Sequence, residues 1–218
     1  NSGTGTGVVI YNQAGDDNYN AAPEVTADVA AQKAESTISV DAAGPFTYNT
    51  NAQGPDQVTK TGSTGAVTFS YEGISGTTYV ASSTKPTNAG SYEVTATLAE
   101  DDNYNGAVSD PLAFSIAKAD QTITVTTASP ASAVFNTSFT VAATASSGLP
   151  VAYTSIAPLS NVGADYTMNS GTGTGVVIYN QAGDDNYNAA PEVTADVAAQ
   201  KAESTISVDA AGPFTYNT

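Results

Sequence analysis

The chain has 218 residues, 21 acidic side chains against five lysines, and no arginine, histidine or cysteine, for a formal charge of −16. That balance excludes a phosphate-binding surface, because nucleic acids are held by Lys and Arg. It also excludes disulfide staples and thiol chemistry, Ser–His and Cys–His nucleophile pairs and zinc sites of ordinary ligand type.

No run of eighteen apolar residues is present, so no membrane span is expected. No charged segment leads into an apolar one, so this stretch carries no signal peptide. A carboxylate pair is the one acid–base device left. With no Trp and only six Phe, there is no aromatic cleft to hold a sugar beside it, and no enzymatic activity is expected.

Internal repetition dominates the sequence. Residues 1–50 recur without a change at 169–218, an offset of 168 residues. The pentapeptide DDNYN occurs three times, starting at Asp16, Asp101 and Asp184. Seventeen residues after each first Asp comes a Lys-Ala pair: Lys33-Ala34, Lys118-Ala119 and Lys201-Ala202. Each pair is followed by an acid, Glu35, Asp120 or Glu203. These markers divide the 168-residue repeat into two domain types, M and I, each of about 84 residues, a size that suits a β-sandwich.

In chain order, residues 1–34 read as the last two strands of an I domain, with DDNYN in the turn between them. The GTGTG at 3–7 has neither the following helix nor the Lys of a phosphate loop, so it reads as a turn feeding a strand. Residues 35–118 read as a complete M domain. Ile38 and Val40 begin it, and Val67, Phe69 and Tyr71 alternate with Thr68, Ser70 and Glu72. Tyr92, Val94, Ala96 and Leu98 then alternate with Glu93, Thr95 and Thr97, and Leu112, Phe114 and Ile116 close it. Period two is the mark of half-buried strands. Residues 119–202 read as a complete I domain, with Ile123 and Val125, then Phe139, Val141 and Ala143, then Val151 and Tyr153, then Val193, Ala195 and Val197. Residues 203–218 read as the start of the next M domain. No segment has a 3.6-residue period, and Gly, Asn, Pro and Asp punctuate the chain every eight to twelve residues. The fold class expected is all-β: tandem Ig-like sandwiches of two alternating types, strung as a rod.

The text FTVAATASSGLPVAYTS (139–155) with QAGDDNYNAAPEV (181–193) resembles the bacterial Ig-like repeats of very large surface proteins. STKPTNAGSYEVTATLAEDDNYNG (83–106) resembles the MBG-type domain. The resemblance implies an extracellular location on a bacterial cell surface, in tandem arrays that act as adhesin stalks or filaments, including those that gliding bacteria move. It implies no catalytic residues.

Asp and Asn accept turn conformations and bond their own backbone, so DDNYN reads first as a turn. Tyr19, Tyr104 and Tyr187 are expected to plug the sandwich ends. Tyr92 sits where a tyrosine corner would sit, and Gly175 takes the corresponding place in the I domain. Calcium is the one cofactor the acidic turns suggest, with Asp16, Asp17, Asp101, Asp102, Asn103, Asn105, Asp184 and Asp185 as ligand candidates beside the linker acids. The match to a calcium loop fails at its twelfth position, Leu112, where a bidentate Glu is needed, and Ala21 and Ala189 replace Gly106 in the other copies. The M-domain lysines Lys60 and Lys85 are the candidates for a Lys–Asn isopeptide bond.

The chain begins and ends inside domains, which suggests a window on a longer repeating chain whose flanking identical repeats complete the partial domains. At ~3.4 Å per residue a strand of about ten residues gives a domain roughly 35 Å long, and short linkers without Gly or Pro make a semi-stiff rod. The function expected is therefore a structural stalk or filament segment, with lateral self-association into fibres as a further possibility. The alternatives are a glycan- or protein-binding module, supported if Tyr79 or Tyr166 joins an exposed cluster, and a strand-exchanging polymer subunit.

Overall fold

Period-two patterning dominates the sequence, and strands follow from it. The structure is a computed structural model and describes residues 3–209, Gly212 and Tyr216. The described residues form strands and no helix. In order they are β1 (Gly5–Tyr11), β2 (Val25–Ala31), β3 (Thr37–Val40), β4 (Phe46–Thr47), β5 (Val58–Thr61), β6 (Val67–Gly73), β7 (Gly90–Leu98), β8 (Ala107–Val108), β9 (Leu112–Ala117), β10 (Ile123–Thr127), β11 (Ser132–Val134), β12 (Ser138–Thr140), β13 (Ala142–Ala145), β14 (Ala152–Ile156), β15 (Leu159–Val162), β16 (Asp165–Met168), β17 (Thr174–Asn180) and β18 (Val193–Gln200). The chain divides into two compact units, Asn1–Ala119 and Asp120–Thr218. The first groups residues 1–34 with the M domain. Residues 203–209 carry no strand, and most of the remainder expected to start a further M domain lies outside the described residues.

In the first unit β4, β9, β7 and β6 form a sheet in that order, with β8 also on β7, while β3 and β5 pair as a second sheet. On β7 the alternation decides burial: Tyr92, Val94, Ala96 and Leu98 are buried, and Glu93, Thr95 and Thr97 are not. The aromatic rings gather around Phe114. Tyr92 stacks on it at 5.6 Å, and Phe46 and Tyr71 meet it edge-on at 5.9 and 6.3 Å. Both fully buried phenols of this unit find acceptors, as burial demands. Tyr71 Oη donates to the Pro55 carbonyl and Tyr92 Oη to the Asn88 carbonyl, both at 2.8 Å. The second bond reaches four residues upstream, the geometry of a tyrosine corner.

The second unit repeats the plan. β11, β18, β17 and β14 form one sheet, with β11 parallel to β18 as β4 is parallel to β9. β10 pairs with β13 as β3 pairs with β5. A third sheet, β12–β16–β15, has no counterpart in the first unit. The core gathers Val141, Leu159, Tyr166, Met168, Val177, Tyr179 and Val197. Gly175 is buried, and a Cβ there would run into the Leu159 side chain. Leucine from β15 thus occupies the space beside Gly175.

One expectation needs correcting here, and the condition set for a binding module goes unmet. Phe139, Val141 and Ala143 do not lie on one strand. The chain leaves β12, which pairs with β16, and enters β13, which pairs with β10; Val141 at the crossing donates its N–H to Ala164. Alternation continues across such a step, so the pattern alone hides it. Tyr166 and Tyr79 do not form an exposed cluster. Tyr166 is fully buried, stacks on Phe139 at 5.6 Å and donates to the Thr154 carbonyl. Tyr79 meets Tyr92 edge-on at 5.8 Å and donates to the Thr84 carbonyl.

β1 and β2 pair in the register of β17 and β18: Val9 opposes Ala27 as Val177 opposes Ala195. In the second unit that hairpin is covered, and Val177, Tyr179 and Val197 have no exposure. The identical Val9, Tyr11 and Val29 are 41%, 59% and 55% exposed. Burying a side chain of this size is worth about 1.5–3 kcal/mol, so the same residues contribute differently at the two sites. Val177→Ala is therefore expected to destabilise the second unit by about 1–3 kcal/mol, a lost transfer term plus a cavity. In the 218-residue chain by itself, Val9→Ala is expected to change stability by less than about 0.5 kcal/mol. Denaturant melts of both variants check the pair, and equal losses would contradict the assignment.

Candidate functional site

The DDNYN turns are built alike. Asp101 Oδ1 accepts the N–H of Asn103 and of Tyr104, each at 2.9 Å, while the Asp101 N–H donates to the Tyr104 carbonyl at 3.0 Å. Asp16 holds Asn18 and Tyr19 in the same way, and Asp184 holds Asn186 and Tyr187. In both I-type copies a Gly precedes the first Asp. At Gly183, where φ is +78°, a Cβ would collide with the Tyr187 carbonyl, so only Gly closes this form of the turn. The M-type copy carries Glu100 at that position.

Each turn in a complete domain is tied to the residues at the start of that domain. In the first unit Ala34 pairs in parallel with Tyr104: the Ala34 N–H donates to Asn103, and the Asn105 N–H donates to Ala34. The Asn105 side-chain amide donates to Glu35 Oε1 at 2.9 Å. Ser36 Oγ donates to the Asn105 carbonyl at 2.6 Å and accepts the Ser63 N–H at 2.9 Å. In the second unit Asn188 donates to Asp120 Oδ1 at 2.8 Å. Gln121 then takes the place of Ser36, and its buried amide donates to the Asn188 carbonyl at 2.7 Å and to Gln181 Oε1 at 2.6 Å. Ser147 Oγ donates to Gln121 Oε1. The linker acid and the residue after it therefore clamp the last Asn of each turn. Ser and Gln do this with different reach, which is why the shared role was not legible beside the conspicuous acid.

The calcium candidates do not gather into a cation cage. The second oxygen of Asp101 accepts the Thr64 N–H at 2.8 Å and the Thr64 hydroxyl at 3.0 Å, so both its oxygens face donors. Asn105 and Asn188 turn their amide nitrogens, not their oxygens, to Glu35 and Asp120. Asp17, Asp102 and Asp185 are exposed. Among the described residues no three acidic side chains converge on one point. Lys85 pairs with Asp56 at 2.7 Å and Lys60 donates to the Gly65 carbonyl, so neither is bonded to an Asn in the first unit.

The tyrosine plugs are realised unequally. Tyr104 and Tyr187 are half-buried. Tyr19 is 74% exposed, a correction to the expected plug, because among the described residues β1 and β2 form a two-stranded sheet of their own with no second layer over it.

Residues 37–120 match the family model for the MBG domain. The match opens on the first residue of β3 and closes at the linker acid Asp120, so it covers β3 to β9 and the turn at 101–105. No curated protein matches the chain. Among the described residues, no helix is long and apolar enough to cross a membrane.

Within the matched residues 37–120, the N–H groups of Thr64 and then of Asn103 and Tyr104 hold the Asp101 carboxyl well below its ordinary pKa of 3.8. A depressed folded-state pKa stabilises above the unfolded value and is lost as pH falls through the folded one. Asp101→Asn is therefore expected to lower the melting temperature at neutral pH, with the gap to the parent chain closing as pH falls below about 4. Thermal melts across that range check it, and a gap independent of pH would contradict it.

Proposed function

We propose that this chain is a structural segment of a long repetitive extracellular bacterial surface protein, a stalk or filament of the adhesin kind. The observation that carries the reading is the clamp between the residues at the start of each complete domain and its DDNYN turn, built twice with different residues. Such a clamp ties the entry of a domain to the turn before its last strand, where the preceding domain joins, and so suits a chain whose task is to stay extended. The 50-residue identity supports it, since near-identical copies are what long arrays contain. The net charge of −16 supports it too, because like-charged rods stay apart in solution.

Flanking repeats of the same sequence are the partners this reading requires. They would supply the layer over β1 and β2 that the second unit supplies to β17 and β18. The binding-module alternative loses its aromatic cluster, as Tyr166 is in the core and Tyr79 packs on Tyr92. No catalytic role is proposed.

The reading is tested by the denatured mass of the native protein, by gel or mass spectrometry. Hundreds of kilodaltons are expected. A mass near the 21.9 kDa of this chain would contradict it.

A further inference from the structure

Asn105 is followed by Gly106, the one Asn-Gly pair in the sequence. In the I-type turns the corresponding pairs are Asn20-Ala21 and Asn188-Ala189. The glycine is fixed by packing, because a Cβ at Gly106 would stand 2.6 Å from the Leu98 carbonyl oxygen on β7. The asparagine is fixed by the clamp. Its side-chain amide donates to Glu35 Oε1 at 2.9 Å, its N–H donates to the Ala34 carbonyl at 2.8 Å, and its carbonyl accepts the Ser36 hydroxyl at 2.6 Å. Gly106 is exposed, and its N–H has no acceptor among the described residues.

We propose that Asn105 is a site of spontaneous deamidation, gated by the clamp, whose product unlocks the start of the M domain. The Gly106 nitrogen attacks Cγ of Asn105. A C–N bond forms and closes a cyclic imide. The bond from Cγ to the side-chain nitrogen breaks, and that nitrogen leaves as ammonia, taking up the proton that the Gly106 N–H gives up. Water then opens the ring at either carbonyl, giving aspartate or the isomer whose backbone runs through the side-chain carbon. No other reactant is needed.

Ring closure requires Cγ to swing onto the following nitrogen. A glycine there leaves the approach open, whereas Ala21 and Ala189 crowd it with a methyl group. While the clamp is made, the amide is held on Glu35 and the carbonyl on Ser36, and Cγ is not free to swing. Reaction therefore proceeds from the fraction of molecules in which the clamp is locally open. The product does not remake it. A carboxylate has no donor for Glu35, and two like charges then face each other across the place of a 2.9 Å hydrogen bond. Each M domain thus carries an irreversible mark of having opened.

This goes beyond the stalk reading and does not depend on it, since the site and its gate lie within one domain. The purified 218-residue chain, folded and held at mildly alkaline pH, is the sample, and peptide mass spectrometry reads conversion over time. Asn188 is the internal control: Asp120 and Gln121 clamp it in the same manner, but Ala189 follows it. Asn105 is expected to convert while Asn188 lags far behind. Glu35 is exposed, so replacing it leaves the fold intact. Glu35→Ala removes the acceptor and is expected to speed conversion of Asn105 about fivefold. Glu35→Gln keeps an acceptor oxygen at the same reach and is expected to stay near the parent rate. Asn105→Asp, which stands in for the aged chain, is expected to exchange the N–H at position 105 faster than the parent does.

Equal conversion of Asn105 and Asn188 would overturn the proposal. So would a Glu35→Ala rate no greater than the parent's, or a Glu35→Gln chain as fast as Glu35→Ala, which would assign the effect to charge alone. An Asn105→Asp chain whose N–H at position 105 is protected as in the parent would show that the product keeps the clamp, and would overturn the unlocking.

Discussion

A carboxylate that accepts two backbone N–H groups of its own turn is the interaction on which the rest depends. It fixes the DDNYN turn before the last strand of each unit, whatever surrounds it. The turn keeps this form in the first unit, in the second, and in the bare β1–β2 hairpin. Because the turn is autonomous, its last Asn always presents an amide and a carbonyl at the same place. The residues at the start of each complete domain can then be recruited to them: Glu35 and Ser36 in one, Asp120 and Gln121 in the other. Domain boundary and domain end are closed by one small polar network.

Hydrophobic burial, by contrast, is not autonomous. Val9 and Val177 sit in identical sequence and identical register, yet one is 41% exposed and the other has no exposure. A two-stranded hairpin has no second layer to bury against. The local turn chemistry of the repeat is carried by the repeat itself, whereas its stability is supplied by the sheet that covers it. A chain built this way is well suited to lengthening by copying, since each new copy brings its own turns and needs only a neighbouring platform.

Much of this was legible in the sequence. The period-two runs at 67–71, 92–98 and 112–116 marked buried strand faces because a half-buried sheet allows no other pattern. Tyr92, placed after NAG at the start of a strand, pointed to a corner, and its hydroxyl reaches Asn88. What was not legible has physical reasons. The switch at Val141 moves the chain between sheets without breaking the alternation. The β15–β16 hairpin lies among Pro158, Asn161, Gly163 and Asn169, turn formers that mask two four-residue strands. Tyr19 was expected to plug an end as Tyr104 does, but a local motif cannot say whether a second layer is present. The buried roles of Ser36 and Gln121 depend on partners 60 or more residues away, beyond any local signal.

The central claim is that one sequence takes its turn from itself and its stability from the sheet that covers it. Native-state hydrogen exchange, resolved by residue, tests this most directly. In the 218-residue chain by itself, the amides of β17 and β18 are predicted to exchange slowly, through opening of the whole second unit, and those of β1 and β2 to exchange many orders of magnitude faster. Equal protection of the two hairpins would contradict the account.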